Sequence, residues 1–200
     1  MTRGANKQFD RSETLDKAMH LFWEQGYADT GMAVLLERME IGRQSLYDTY
    51  GSKRELFLES IDHYFKTRIG TLQTELSAPG SPLANFRRVI GMVEQHCCSG
   101  NGLGCMVVNT MAEVGTLDED LSAVLHHKLK AMETMFRKVL ESAKGAGEIE
   151  ADAETLALAR STVSLALGVL LMGRSGAAPA MIRDTVRMHL KLIDTVDTSR

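Results

Sequence analysis

Apolar residues along this chain of 200 residues recur at steps of three and four, and no segment alternates apolar and polar at a step of two. Steps of three and four put side chains on one face of a helix, whereas a half-buried strand needs a step of two. The chain therefore reads as all-α, with about nine helices and no internal repeat. Leu15, Ala18, Met19 and Phe22 form the first such face. Asp10 and Glu13 suit a capping box at its start, and Gly26 a C-terminal stop. Met32, Leu35, Leu36 and Met39 repeat the spacing in a short second helix. Ile41-Gly42 breaks it, and Arg43–Tyr50 reads as a short third. Three short helices in succession make a small helical domain with a helix-turn-helix pair.

Ser52 and Glu55 have capping-box spacing and open a long helix. Leu58, Ile61, Phe65, Ile69, Leu72 and Leu76 are expected to bury one side of roughly seven turns. The stretch Ala78-Pro79-Gly80-Ser81-Pro82 is the clearest linker, and Pro82 suits the first helical position of the next helix. Ser99-Gly100-Asn101-Gly102 breaks that helix. Helices are then expected at about Cys105–Val114 and Leu117–Lys144. Another, capped by Asp152, should run to about Arg174, and a last one from Pro179 to about Val196. The longest nearly apolar run, Val163–Met172, is about half the ~18–20 residues of a membrane span, so no transmembrane helix is expected. Met1–Asp10 is polar and lacks a signal-peptide core, so a cytoplasmic location is expected.

On the third helix, Leu46 and Tyr50 point one way and can pack on Leu35, Met39 and Phe22. Arg43, Gln44, Tyr47 and Asp48 point roughly the other way. A guanidinium, an amide and a phenol at the N-terminal end of a helix fit the DNA major groove. There Arg reads guanine O6/N7 and Gln reads adenine N6/N7. Tyr47 can reach a phosphate, and Lys53 at the next helix start makes a phosphate clamp. The same face also reads as an ordinary solvated polar surface. Bulk charge does not separate the two readings: 23 Lys+Arg face 26 Asp+Glu. Residues 1–55 hold eight basic against nine acidic side chains. DNA binding is therefore expected to show a modest salt dependence, carried by a few contacts that include Arg3 and Lys7.

Gly26-Tyr27, Ile41-Gly42-Arg43-Gln44-Ser45-Leu46-Tyr47 and Tyr50-Gly51-Ser52-Lys53-Arg54-Glu55-Leu56 together resemble the helix-turn-helix signature of the TetR/AcrR family. The match covers about residues 10–58. The resemblance implies a homodimeric, ligand-responsive transcriptional repressor that binds a palindromic DNA operator and is released by a small-molecule inducer. It implies a helix-turn-helix domain at 1–52 and a ligand-binding and dimerisation domain at 53–200. By position, Thr30, Arg43, Gln44, Ser45, Tyr47 and Lys53 would contact DNA. The chain departs from the family in four places. Glu40 replaces a turn glycine, Gly42 stands where Ser is frequent, and Tyr50 replaces Phe. Asp48 would repel phosphate unless it accepts from a cytosine amine. Gly42 is expected to supply the flexibility the turn needs.

Ala153, Ala157, Ser161, Ser164 and Gly168 make a stripe of small residues down one otherwise Leu-rich helix. Small residues let another backbone approach, either inside the protomer or across a dimer seam shared with Met181–Val196. The family resemblance favours the seam, with Ala157, Ser161, Ser164, Gly168, Ile182, Val186 and His189 at it. A two-fold dimer would set the reading helices about one DNA turn, ~34 Å, apart. Phe65, Met92, Cys105, Met106, Asn109, Met132 and Phe136 are candidates for a mostly apolar inducer pocket. Taken singly, each reads more readily as core filling. Asn109 is a single amide in an apolar helix, able to bond a ligand or a neighbouring backbone.

Three cysteines, Cys97, Cys98 and Cys105, do not make a disulfide framework. Adjacent Cys97 and Cys98 diverge by about 100° on a helix, so no metal site is expected. A thiol-switched regulator stays open as an alternative, as does a ligand- or protein-binding dimer without DNA recognition. No nucleophile elbow, phosphate-cradling loop or zinc-protease signature occurs, so no enzyme activity and no cofactor are expected.

Overall fold

A computed structural model describes residues 9–99, 102–114 and 118–194. Among these, every regular element is helical. In chain order they are α1 (Arg11–Gln25), α2 (Met32–Met39), α3 (Arg43–Tyr50), α4, α5 (Pro82–Cys98), α6 (Met106–Val114), α7 (Glu119–Gly145), α8 (Thr155–Arg174) and α9 (Pro179–Asp194). Helix α4 is composite: Lys53–Tyr64 and Gly70–Leu76 flank a π-helical segment, Phe65–Ile69. The all-α reading and the helix count agree with the sequence. The expected tail contacts Arg3 and Lys7, and the expected helix ends at Leu117 and Val196, lie outside the described residues.

The caps explain most boundaries. The Asp10 carboxylate accepts from the backbone N–H of Ser12 at 2.7 Å and of Glu13 at 3.2 Å. Gly26, at φ 84°, closes α1 by donating to the Phe22 carbonyl. Ser52 accepts from the Glu55 N–H at 3.1 Å and opens α4. Ser81 caps α5, with Pro82 in its first turn. One expected cap is corrected. Helix α8 starts at Thr155 after Glu154, without a side-chain cap, so Asp152 is not its N-cap.

The chain divides into two compact units, one ending at Lys66 and the other beginning at Thr67. The first stretch of α4 thus belongs with α1–α3. The reason is aromatic packing. Phe57 meets Phe22 edge to face at 4.9 Å, and Tyr64 meets Trp23 likewise at 5.1 Å. Such pairs contribute beyond the area they bury. The buried side of this stretch is therefore Leu56, Phe57, Ser60, Ile61 and Tyr64. Leu58 and Phe65, expected on that side, are only half-buried. Of the six residues of the stripe that the sequence suggests, Ile61, Ile69 and Leu76 are buried, and Leu58, Phe65 and Leu72 are only half-buried.

In the larger unit, α8 packs against α5, α7 and α9. Phe86 and Phe136 meet edge to face at 6.0 Å in its core, with Val89, Ile90, Leu140 and Ala166 also buried. By length and composition alone, α8 is long and apolar enough to cross a membrane. Its inner face, Ala159, Val163, Ala166 and Val169, is used by the protomer core, whereas Ala157, Ser161, Ser164 and Gly168 are exposed.

Candidate nucleic-acid interface

Helices α2 and α3 form the helix-turn-helix. Leu35, Met39, Leu46 and Tyr50 are buried and fix the pair against α1. The turn between them rests on Glu40, which adopts the left-handed conformation at φ 57°. Gly42 instead sits at φ −75° and ψ 157°, extended, as the N-cap of α3. The expectation for Gly42 is thereby corrected. A non-glycine residue in the left-handed region is strained. Here the Glu40 carboxylate is held by the Lys17 ammonium at 2.6 Å. That ammonium also pairs with Glu13, and both carboxylates raise its pKa.

The face of α3 turned to solvent carries Arg43, Gln44, Tyr47 and Asp48, all exposed, with Ser45 half-buried beside them. Gln44 does not stand alone. Its Nε2 donates to Asp48 Oδ1 at 2.8 Å, one helical turn on. The sequence places both on one face, and their spacing of four residues is the signal for a pairing that the face alone does not reveal.

One predicted contact is placed differently. Thr30 is fully buried, and its hydroxyl donates to the Gly26 carbonyl at 2.5 Å. It closes the α1–α2 connection and cannot offer a hydroxyl to a DNA backbone. Lys53 stands at the start of α4 as expected. Its ammonium donates to the Tyr27 carbonyl at 2.5 Å and lies 4.4 Å from the centroid of the Tyr27 ring. That ring stacks on Phe57 at 4.7 Å. Aromatic and backbone contacts therefore aim Lys53, and an ammonium has three N–H bonds to distribute.

The candidate dimer face divides into two sets. Ala157, Ser161, Ser164 and Gly168 are exposed on α8 and continue into Leu171. Met181, Met188 and Leu192 are the large exposed apolar side chains of α9, each more than half exposed. Ile182 and Val186, expected at the seam, are instead buried in the protomer, because α9 turns that side inward. His189 is also buried, and its Nε2 lies 3.0 Å from Thr162 Oγ1. Thr162 donates to the Leu158 carbonyl at 2.8 Å, so its hydroxyl accepts from the imidazole N–H. Burial pushes the His189 pKa down.

The pocket candidates are scattered. Cys105, Met106, Met132 and Phe136 are buried, while Phe65, Met92 and Asn109 are half-buried. A cavity of about 660 Å³ is lined by Gln73, Leu76, Pro82, Asn85, Met135, Arg137, Val139 and Glu141, among others. None of the seven predicted residues lines it. Asn109 Nδ2 donates to the Leu103 carbonyl at 2.7 Å, where Arg174 also donates. Its Oδ1 is the one buried side-chain polar atom without a partner among the described residues. Cys97 is half-buried, and burial with the neighbouring Cys98 and Cys105 pushes its thiol up to about 11. At neutral pH it stays a thiol, which is the less nucleophilic form.

Comparison with known proteins agrees with this geometry. Residues 15–60 match the model described as bacterial regulatory proteins, tetR family, and residues 83–189 match the tetracyclin repressor-like C-terminal domain. The chain is 32% identical to the uncharacterized HTH-type transcriptional regulator YezE of Bacillus subtilis, across 96% of this chain and 100% of that protein. It is 27% identical to the HTH-type transcriptional repressor ComR of Escherichia coli, across 96% of this chain and 92% of that one. A cysteine mutant of the TetR family regulator CifR, solved with a 26 bp double-strand operator DNA, superposes with a TM-score of 0.83. That similarity, at 24% identity over 94% of this chain and 98% of that one, concerns the fold. The chain thus belongs to the TetR family and is a DNA-binding transcriptional regulator.

Proposed function

We propose that this regulator works in the cytoplasm as a homodimeric repressor on a palindromic operator, and that a small, mostly apolar inducer releases it. The observation that carries the DNA half is the exposed row of Arg43, Gln44 and Tyr47 on the first two turns of α3. Its inner side is locked by Leu46 and Tyr50, so the row is presented at a fixed angle. Ser45 and the Tyr27-supported Lys53 flank it. For the dimer, the support is an exposed small-residue stripe beside exposed Met181, Met188 and Leu192. An inducer would act by favouring one of two dimer geometries, with a coupling of typically ~1–3 kcal/mol. For an apolar inducer, the support is the apolar interior of the larger unit, which includes Met106, Met132, Met135 and Phe136.

Selection of binding sites from a random duplex pool tests the reading, with native protein and Arg43→Ala in parallel. The expected result is an inverted repeat whose guanine at one half-site position the variant fails to recover. Absence of enrichment at low salt, from a folded dimer, overturns the DNA-reading role and leaves a ligand- or protein-binding dimer.

A further inference from the structure

We propose that Asp48 is a specificity-determining residue, which pins the Gln44 carboxamide in one orientation so that α3 selects adenine over guanine. The inference rests on the DNA-reading role above and adds a residue-level code to it. Asp48 is acidic on a face meant for a polyanion, so it costs affinity. Its position is accounted for by what it holds. Gln44 Nε2 donates to Asp48 Oδ1 at 2.8 Å, and both side chains are exposed on the same side of α3.

The consequence lies in the chemistry of a primary amide. Its oxygen only accepts and its nitrogen only donates, and the two ends are nearly the same shape. An unrestrained glutamine can therefore turn over. In one orientation it offers oxygen to the adenine N6 amine and N–H to N7. Turned over, it offers N–H to guanine O6. An ionised carboxylate is acceptor-only, so only the nitrogen end of Gln44 can face Asp48. One N–H is then committed to Asp48, while Oε1 and the second N–H remain for a base edge. Asp48 Oδ2 adds a further acceptor beside them. The assembled patch is acceptor-rich, which suits a base amine and opposes guanine O6 and thymine O4. Neither Ser45 nor Tyr47 supplies an equivalent restraint to Gln44 among the described residues.

The test uses site selection with the full-length protein and four forms: native, Gln44→Ala, Asp48→Ala and Asp48→Asn. Native protein reports whether an operator exists at all, which tests the underlying reading separately. Gln44→Ala identifies the half-site position that Gln44 reads. At that position, Asp48→Ala is expected to lower the adenine-to-guanine preference about tenfold, leaving the other positions unchanged. Asp48→Asn presents both an acceptor oxygen and a donor nitrogen, so it can hold Gln44 in either orientation and is expected to lower the preference as Asp48→Ala does. It should also bind more tightly and with a steeper salt dependence, because a negative charge is gone. An adenine-to-guanine ratio in Asp48→Ala within twofold of native overturns the proposal. So does an operator in which Gln44→Ala changes no position.

Discussion

The hydroxyl of Thr14 on α1 lies 2.6 Å from the hydroxyl of Tyr50 at the end of α3, in a buried contact. Tyr50 also donates to the Arg11 carbonyl at 3.0 Å, and the Arg11 guanidinium stands 5.1 Å from its ring centroid. Thr14 has further acceptors in the Asp10 and Arg11 carbonyls. One phenol thus ties the last turn of the reading helix to the first turn of α1. The helix-turn-helix signature that this chain resembles has phenylalanine there, and the extra oxygen here finds its partner in Thr14.

Tyr50→Phe is expected to destabilise the protein by about 1 kcal/mol. The cost sits at the low end because Thr14 can still donate to backbone. In a double-mutant cycle with Thr14→Val, the two changes should couple by roughly 0.5–1.5 kcal/mol. Chemical denaturation of the four proteins measures this, and additive effects would show that the pair carries no energy of its own.

Lys53→Met should weaken DNA binding by a similar factor on every sequence. The slope of log affinity against log salt should fall by about 0.9 for each subunit. Fold stability should fall by about 1–3 kcal/mol, because the ring–cation contact and the charge-assisted hydrogen bond to the Tyr27 carbonyl are both lost. Titrations at three salt concentrations decide it. An altered base preference with an unchanged slope would mean that Lys53 does not reach phosphate.

Acid should loosen the α8–α9 pair through His189. Burial holds its pKa below the ordinary ~6.5, so the folded protein favours the neutral ring. Above that value both folded and unfolded chains are neutral, and stability is complete. As pH falls through ~6.5, the unfolded chain takes up a proton that the folded chain resists, and stability declines. His189→Gln keeps an N–H toward Thr162 but cannot titrate. Its denaturation midpoint should change less than that of the native protein between pH 7.5 and 5. Parallel curves for the two proteins would exclude His189 as the cause.

Gly168 offers a clean probe of the proposed seam. A methyl group built there meets nothing within 4 Å, and its backbone is ordinary helix. Gly168→Ala should therefore stabilise the protomer by roughly 0.5–1 kcal/mol, as in other helix interiors. Gly168→Trp projects from the same exposed position but would hold a second copy away. Sedimentation velocity should report monomer for the tryptophan variant and dimer for the alanine one. A tryptophan variant that remains dimeric places the seam elsewhere.

Local signals carried most of the fold. Asp10, Gly26, Ser52 and Pro82 mark helix ends because capping is an interaction between near neighbours, visible as spacing. The outer face of α3 is legible for the same reason, since Arg43, Gln44, Tyr47 and Asp48 share a side by helical geometry alone. The features that escaped the sequence depend on how a loop turns back on itself, on contacts distant along the chain or on backbone angles. Thr30 looks available at a helix entry, yet its hydroxyl turns back to Gly26. Gly42 seems the natural place for a left-handed turn, but Glu40 takes that conformation with Lys17 holding it from α1. Ile182 and Val186 share a helix with Met181 and Met188, and only α9's docking decides which side is inward. Residue type alone points to the pocket candidates, and residue type does not say where space is left.

The π segment at Phe65–Ile69 has a consequence for how this chain can drift over generations. An i→i+5 turn accommodates a residue more than an α-helical turn does, so it absorbs a phase difference. Upstream, the inward positions answer to the aromatic cluster of Phe22, Trp23 and Phe57. Ile69 at its end and Leu76 beyond it answer to another set of neighbours. The two stretches therefore need not share a common heptad-like phase. A one-residue insertion or deletion beside the π turn could be taken up there, leaving both hydrophobic faces in place. Single-residue length variation in relatives should accordingly gather at this point of α4 and spare the turns on either side.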